Sequence, residues 1–180
     1  MRVDVVEARP GEVPILRRLM QLYFYELFTI AGWDIGADGL YGTAQDSERF
    51  WTDGRHRSFL ITVDGKLAGF VIVGDRCQFG GPETRQISEF FVLRAYRRRG
   101  VGARAATRIF DMFPGKWEVI QLARNVEAQA FWRAVIGRYT GDRFEDIERP
   151  GHDWAGRVQL FESSVSGRSG AADIDRPTGP

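Results

Sequence analysis

The spacing of apolar residues along the chain predicts a succession of strands and helices. Val3 to Glu7 alternates apolar and polar residues, which is typical of a strand. From Pro14 onward apolar residues recur at helical spacing, and they are Ile15, Leu16, Leu19, Met20, Tyr23 and Leu27. Residues 32 to 45 are rich in Gly and aromatic residues and predict a loop. Asp46 is then placed to cap a short second helix that runs through Phe50 and Trp51.

The middle of the chain predicts a hairpin and a further strand. Phe59 to Val63 is apolar, and the Asp64-Gly65 pair that follows is a strong tight-turn signal. Lys66 to Val73 is the returning strand of this hairpin. After a polar, Gly-rich stretch, Gln86 to Leu93 predicts the next strand.

The second half of the pattern alternates helices with strands. After residue 100 the helical stripe consists of Val101, Ala105, Ile109, Phe110 and Phe113, and Pro114-Gly115 ends it. The remaining predicted elements are a strand at Trp117 to Ala123, a helix at Asn125 to Ile136 that Gly137 closes, and strands at Arg143 to Glu148 and Arg157 to Phe161. This order favours a mixed α/β (α+β) domain over a regular parallel alternation.

Composition limits the classes of function. The 180 residues are 43% hydrophobic and 27% charged with a net charge of +1, so we expect no nucleic-acid or membrane partner. Cys77 is the one cysteine, the start of the chain resembles no signal peptide, and no apolar run would span a bilayer, which together predict a cytoplasmic location. We expect residues 1–162 to form one domain. Residues 163–180 contain few large apolar residues and predict a disordered tail.

The candidate chemistry lies where the strand ending near Val92 meets the next helix. Arginines at 94 and 97–99 precede Gly100-Val101-Gly102, and glycines let a backbone approach a ligand closely. The first amides of a helix lack intrahelical partners and carry partial positive charge, which suits a phosphate. The alternative is a plain strand-to-helix turn with solvated arginines. The segment is neither a P-loop nor a dinucleotide fingerprint, since neither Gly-Lys-Ser/Thr nor a third glycine follows.

Two motifs make the chain resemble the GNAT acetyltransferase family. Arg97, Gly100 and Gly102 match the pattern Arg/Gln-x-x-Gly-x-Gly/Ala, and Asn125-x-x-Ala128-x-x-Phe131-Trp132 resembles Asn-x-x-Ala-x-x-Phe-Tyr. The resemblance implies a mixed central sheet of six to seven strands flanked by helices. It also implies a CoA site formed by Phe91, Val92, Arg97, Arg98, Arg99, Gly100, Val101, Gly102, Asn125, Phe131 and Trp132. Asn125 has the alternative role of capping its helix.

The resemblance implies that an amine attacks the thioester of acetyl-CoA directly while both substrates are bound. The acceptor would be a primary amine of a small molecule or peptide. Glu89 is the candidate base, and its alternative role is a solvated or ion-paired carboxylate. Trp132 stands where the family often has a tyrosine that protonates the leaving thiolate, and an indole cannot transfer a proton. The thiolate therefore leaves unaided, or a group such as Tyr139 replaces the acid, or the protein is a non-catalytic CoA-binding module.

In this fold the first helices and the loop between them commonly form a wall of the acceptor site. Here that region contains Tyr23, Tyr25, Glu26, Phe28, Trp33, Asp34, Asp38, Tyr41, Phe50 and Trp51. Aromatic rings with a few carboxylates would suit a cationic acceptor, whereas the alternative is that these residues are core and solvated surface. The distant His56 and His152 predict no metal site. The arginine cluster could instead bind phosphorylated partners or nucleic acid, and a homodimer stays open.

Overall fold

A computed structural model of the chain describes residues 1–42, 44–151 and 155–164, without the side chains of residues 44–47. The predicted tail beyond residue 164, the Asp46 side chain and His152 lie outside the described residues. The strands are β1 Val3–Glu7, β2 His56–Val63, β3 Lys66–Gly74, β4 Arg85–Val92, β5 Gly115–Leu122, β6 Phe144–Arg149 and β7 Gly156–Ser163. The helices are α1 Val13–Ala31, α2 Ala44–Thr52, α3 Val101–Met112 and α4 Val126–Thr140.

Within these residues the strands form one mixed sheet of seven, in the order β1-β2-β3-β4-β5-β7-β6. The pairing of β4 with β5 is parallel, whereas β4 pairs antiparallel with β3 and β5 pairs antiparallel with β7. The mixed α/β class and the number of strands are therefore as predicted. Strand β7 runs to Ser163, one residue past the predicted end of the domain.

The sheet separates two apolar cores. One core lies between the sheet and helices α3 and α4, and it includes Ile87 and Val92 of β4. The other lies between the sheet and helices α1 and α2, and it includes Phe91 of β4. The apolar stripe predicted for α1 contains three of its buried residues, Leu16, Leu19 and Met20, whereas Phe24, which is also buried in this second core, lies outside the predicted stripe.

A β-bulge in β4 decides which of its side chains face which core. Ile72 of β3 pairs with Glu89, but the next residue, Val73, pairs with Ile87, so Ser88 is an extra residue in β4. Side chains alternate along a regular strand, and one extra residue reverses the alternation. Ile87 consequently faces α3 and α4, whereas Phe91, four residues later, faces α1 and α2.

Three predicted boundaries are wrong or shifted. Gly137 does not close α4, because the helix continues to Thr140 and ends at Gly141, which has a φ of +63°. Gly137 is instead needed for packing, since a Cβ there would lie 2.7 Å from the Asp142 carboxylate. Phe113 follows α3 as its C-cap, and Asn125 precedes α4 as its N-cap rather than lying inside the helix.

Candidate active site

The bend between β4 and α3 presents backbone amides that lack partners. Gly100 is the N-cap of α3 with a φ of +77°, a conformation that favours glycine, and a Cβ there would meet nothing within 4 Å. The first helical hydrogen bond runs from the Arg104 amide to the Gly100 carbonyl at 3.1 Å. Within the described ranges, the amides of Val101, Gly102 and Ala103 donate to no acceptor. Val101 is buried, whereas Gly102 and Ala103 are partly exposed, so the amides of these two residues are available to an anion and the helix dipole adds positive charge.

Gly102 brings the two sequence motifs together. A Cβ on Gly102 would lie 3.1 Å from the Phe131 ring of α4 and 3.6 Å from the Phe90 ring of β4. The Phe90 and Phe131 ring centroids are 5.8 Å apart. Glycine at 102 therefore allows close packing between α3 and α4, and its role in ligand approach stays a prediction. The contact joins the N-terminal part of α3 to α4 and to the strand before the bend.

The arginines of the bend divide into two pairs. The side chains of Arg94 and Arg97 form ion pairs with Glu26 of α1. Arg98 and Arg99 are exposed, and Arg98 has a positive φ of 59°. The positive charge that is free to meet a ligand at the bend is therefore smaller than the cluster of arginines in the sequence indicated.

Strands β4 and β5 separate beside the bulge. They pair only from Arg85 to Ile87, although β4 continues to Val92 and β5 to Leu122. Residues 88–92 of β4, about 16 Å of strand, thus have no partner on this side among the described residues. The Leu93 amide bonds to Ala68 of β3, so alternation directs the backbone groups of Phe90 and the Val92 amide toward the opening. An extended ligand arm could add there like a strand.

Glu89 lies at the start of this open edge, on the face of α1 and α2. Burial raises the pKa of Glu89 to about 7, opposed by a hydrogen bond from the Tyr23 hydroxyl and by the charge of Arg49. The Tyr23 ring packs against Phe70 and Phe91, with centroids 6.0 Å and 5.9 Å away. Glu89 thus has a pKa near neutrality, as a general base requires, and its neighbour Tyr23 holds it in place.

Two buried hydroxyls and a histidine lie on the same face. Ser88 Oγ and Ser58 Oγ are buried without a hydrogen-bond partner in the described part of the chain. A Cβ on Gly74 would lie 2.7 Å from Ser88 Oγ and 3.3 Å from His56 Nε2, so glycine leaves space between them. His56 Nδ1 is 3.0 Å from Asp53 Oδ1. The face of the sheet that carries Glu89 therefore also carries these polar groups.

Helix α4 contributes a cap and an aromatic wall. Asn125 Oδ1 accepts from the Ala128 amide at 3.1 Å, which is the capping role, and leaves the amide nitrogen for a ligand. Trp132 is 5% exposed and packs against Phe90 and Phe131, with centroids 4.9 Å and 5.0 Å away. The Tyr139 hydroxyl donates to Asp111 at 2.9 Å, and burial raises the pKa of Tyr139. Tyr139 is therefore a packing residue in this arrangement.

Comparison with known proteins decides the family. The profile of the Acetyltransferase (GNAT) family matches residues 16–137, which include both motifs and Glu89. The chain belongs to the GNAT acetyltransferase family. Among proteins of curated function, none matches the sequence at a significant level.

Solved structures share the GNAT fold at low sequence identity. A GNAT acetyltransferase from Streptococcus agalactiae is 14% identical with a TM-score of 0.68, covering 90% of this chain and 96% of its own. An acetyltransferase from Thermus thermophilus is 17% identical with a TM-score of 0.64, covering 90% and 97%. Spermidine N-acetyltransferase from Vibrio cholerae, solved with CoA and spermine, is 12% identical with a TM-score of 0.58, covering 89% and 95%.

The predicted acceptor wall of this GNAT chain contains a cluster of aromatic rings that pack edge to face. Phe28 contacts Trp33 and Tyr41, with centroids 5.1 Å and 5.5 Å away, and Tyr25 contacts Tyr41 at 5.7 Å. Tyr25 is 55% exposed and Trp33 is 54% exposed. Phe50 is buried core, whereas Asp34 and Asp38 are exposed, with Asp38 accepting from the Leu40 amide at 3.1 Å.

Two further findings concern metal and membrane. In the described ranges, no three His, Cys, Asp or Glu side chains come together so as to hold a metal ion. None of the helices in those ranges has the length and apolar character that crossing a bilayer requires.

Three contributors to the site were not found from the sequence. The sequence places Tyr23 in the acceptor wall but does not indicate its interaction with Glu89. It also does not indicate the ion pairs of Glu26 with the arginines or the extra residue at Ser88. Tyr23 and Glu26 are three residues apart and share a face of α1, which was the one available signal.

Proposed function

We propose that this chain transfers an acetyl group from acetyl-CoA to a primary amine within a ternary complex. The observation that supports this most directly is the bend of unpartnered amides at Val101, Gly102 and Ala103 beside the unpaired edge of β4. Amides at a helix start suit the CoA diphosphate, and exposed Arg98 and Arg99 can add charge-assisted bonds. The free backbone groups of Phe90 and the free amide of Val92 suit the amides of the pantetheine arm.

Glu89 is the proposed base. An amine such as that of lysine is protonated at neutral pH, so it must lose a proton before it can attack. A carboxylate with a pKa of about 7 is deprotonated in about half of the molecules at that pH. Phe91 and Val92 face opposite cores, and Glu89 shares the face of Phe91, so the amine would approach from the α1 side.

The chemical step needs only the amine, the thioester and Glu89. The amine nitrogen bonds to the thioester carbonyl carbon, its proton passes to Glu89 directly or through water, and the carbon–sulfur bond breaks. The electron pair of that bond leaves on sulfur as the CoA thiolate. A thiol has a pKa of roughly 8.5, so the thiolate is a good leaving group without a protein acid. Holding both substrates in one site supplies much of the acceleration.

Calorimetry with CoA tests the binding part. Gly100→Val places a branched side chain at the bend, and Gly65→Val is the matched control, because both glycines have a φ of +77° and open space at Cβ. Each substitution should cost on the order of 2 kcal/mol of stability. We expect Gly100→Val to weaken CoA binding at least tenfold and Gly65→Val to change it less than twofold. Absence of CoA binding to the wild-type protein would refute the proposal.

A non-catalytic CoA-binding module is the second candidate, favoured by the buried Trp132 at the position of the usual tyrosine. Release of CoA thiol from acetyl-CoA with a panel of primary amines distinguishes the two. The panel includes lysine peptides and spermidine, the latter because a structural relative acts on it. An amine whose turnover collapses in Glu89→Gln, with CoA binding retained, argues for the transferase. CoA binding without turnover of any amine argues for the module.

A further inference from the structure

Glu26 connects helix α1 to the bend through two arginines. Its Oε2 lies 2.7 Å from Arg97 Nη1, and its Oε1 lies 3.0 Å from Arg94 Nε. The Glu26 side chain is only 20% exposed, compared with 33% for Arg97 and 77% for Arg94. Burial alone would raise the pKa of Glu26, but hydrogen bonds from Arg97 and Arg94 hold it below its ordinary value. The carboxylate is therefore charged and paired at neutral pH.

Arg97 is directed into the strand rather than toward the free amides. Its Nε donates to the Val92 carbonyl at 2.7 Å, and its Cζ lies 5.4 Å from the centre of the Phe91 ring. With Glu26, the Arg97 guanidinium thus has three described partners, a carbonyl, a carboxylate and an aromatic face. Such a planar group with fixed contacts on several sides is held in one orientation.

Helix α1 thereby holds both ends of the open edge of β4. Tyr23 bonds to Glu89 near the start of this edge, and Glu26 reaches Val92 at its end through Arg97. Tyr23 and Glu26 project from the same side of α1, because residues three apart are neighbours on a helix. The edge that would receive the pantetheine arm is therefore aligned by a helix of the acceptor wall.

We propose that Glu26 is a positioning residue that keeps Arg97 on the Val92 carbonyl and away from the CoA diphosphate. This inference rests on the proposed function. It assigns diphosphate binding to the backbone amides of Gly102 and Ala103 with exposed Arg98 and Arg99. Arg97 then contributes to CoA affinity through the pantetheine arm, by fixing the end of the strand beside which that arm lies.

The test separates the two parts of CoA by measuring two dissociation constants. One ligand is CoA, and the other is 3′-phospho-ADP, the nucleotide part of CoA without the pantetheine arm. The ratio of the nucleotide constant to the CoA constant reports what the arm contributes. Neither measurement needs the acceptor amine to be known.

Glu26→Ala releases Arg97 and Arg94, which can then turn toward the diphosphate. We expect 3′-phospho-ADP to bind about 3- to 10-fold more tightly, as one added charge-assisted bond would give, while the ratio falls about fivefold. Glu48→Ala is the matched control, because Glu48 is also an ion-paired glutamate on a helix, 2.6 Å from Arg17 Nη2. It should change neither constant more than twofold. Nucleotide binding that is unchanged or weaker in Glu26→Ala would contradict the inference.

A second pair of variants keeps Glu26 and tests Arg97 itself, should Glu26→Ala fold poorly. Arg99→Leu removes an exposed arginine of the bend and should weaken 3′-phospho-ADP binding about tenfold. Arg97→Leu should weaken it less than threefold and should lower the ratio instead. Equal losses of nucleotide affinity in the two variants would overturn the inference and make Arg97 a phosphate ligand. If the wild-type protein binds neither ligand, the proposed function and the inference fail together. If the wild-type protein binds both ligands but the variants change the two dissociation constants in other ways than stated, the inference alone is refuted.

Discussion

Tyr23 on α1 neighbours the Glu89 carboxylate on β4, where its hydroxyl opposes the rise that burial causes in the pKa of Glu89, and the Tyr23 ring packs against Phe70 and Phe91. A hydrogen bond to the charged form of a carboxyl lowers its pKa. Tyr23 therefore limits how far burial can raise the pKa of Glu89, which is about 7. Without this bond the base would be protonated over more of the neutral range.

Tyr23→Phe should consequently move the acidic limb of the pH–rate profile to higher pH. We expect kcat/KM at pH 7 to fall severalfold and to recover toward the wild-type value in alkaline solution. Tyr139→Phe, which also removes a hydroxyl bonded to a carboxylate, serves as the control and should leave the limb where it is. An unchanged limb in Tyr23→Phe would mean that Glu89 is not the titrating base.

Glu89 should also make the free energy of unfolding depend on pH. The pKa is about 7 in the folded chain against an ordinary 4.5, so between these values the folded protein keeps a proton that the unfolded chain releases. The contribution of this proton to the free energy of unfolding is fully present below pH 4.5 and is lost as the pH rises through 7. The loss should be on the order of 2 kcal/mol, less than the full shift would give because the side chain is partly exposed.

Glu89→Gln cannot titrate, so its unfolding midpoint in urea should vary less than that of the wild-type protein between pH 5 and pH 8. The stability of the variant relative to the wild-type protein should therefore increase as the pH rises. A difference between the two proteins that stays constant over this range would contradict the raised pKa. The dissociation constants of the two proteins for CoA should agree within twofold, since the proposed role of Glu89 concerns the acceptor amine.

The contact between Gly102 and Phe131 should appear as a coupling between the two positions. A Cβ at 102 lies 3.1 Å from the Phe131 ring, so Gly102→Ala forces the ring to shift by a few tenths of an ångström. We expect a loss of about 1 kcal/mol in the wild-type background and a smaller loss in Phe131→Leu, which leaves room. Urea unfolding of the four proteins in this cycle gives the coupling energy. Additive losses would show that the two positions do not contact each other.

Trp132→Tyr places a phenol where the family often has one. The substitution removes part of a buried ring that packs on Phe90, Phe110 and Phe131, and should cost about 1–3 kcal/mol of stability. If the thiolate leaves without an acid, kcat should change less than threefold. A rise of tenfold or more would show that acid assistance limits the wild-type protein.

The sequence predicted what depends on near neighbours in the chain. The stripe of α1, the hairpin at Asp64-Gly65 and the start of α3 at Gly100 all follow from local spacing and turn chemistry. The two motifs were also found, but the packing contact of Gly102 was not, because it involves a ring 29 residues away in α4.

The contacts that define the proposed mechanism are long-range. Glu26 and Arg94 are separated by 68 residues, and no periodicity links them. The bulge at Ser88 also escaped prediction, since the residues around it alternate no differently from a regular strand until pairing with β3 is known.

The extra residue at Ser88 places Glu89 on the face of the sheet opposite to Ile87. With the regular alternation, Glu89 would point the same way as Ile87, toward α3 and α4. The carboxylate would then stand among the rings of the cofactor side and have no water. Under the proposed function, the bulge lets the amine approach from the α1 face and acetyl-CoA from the α3 face, so that they meet at the gap between β4 and β5. The same chain with residues 87–89 paired as a regular strand would retain both motifs and yet have the proposed base on the opposite face of the sheet.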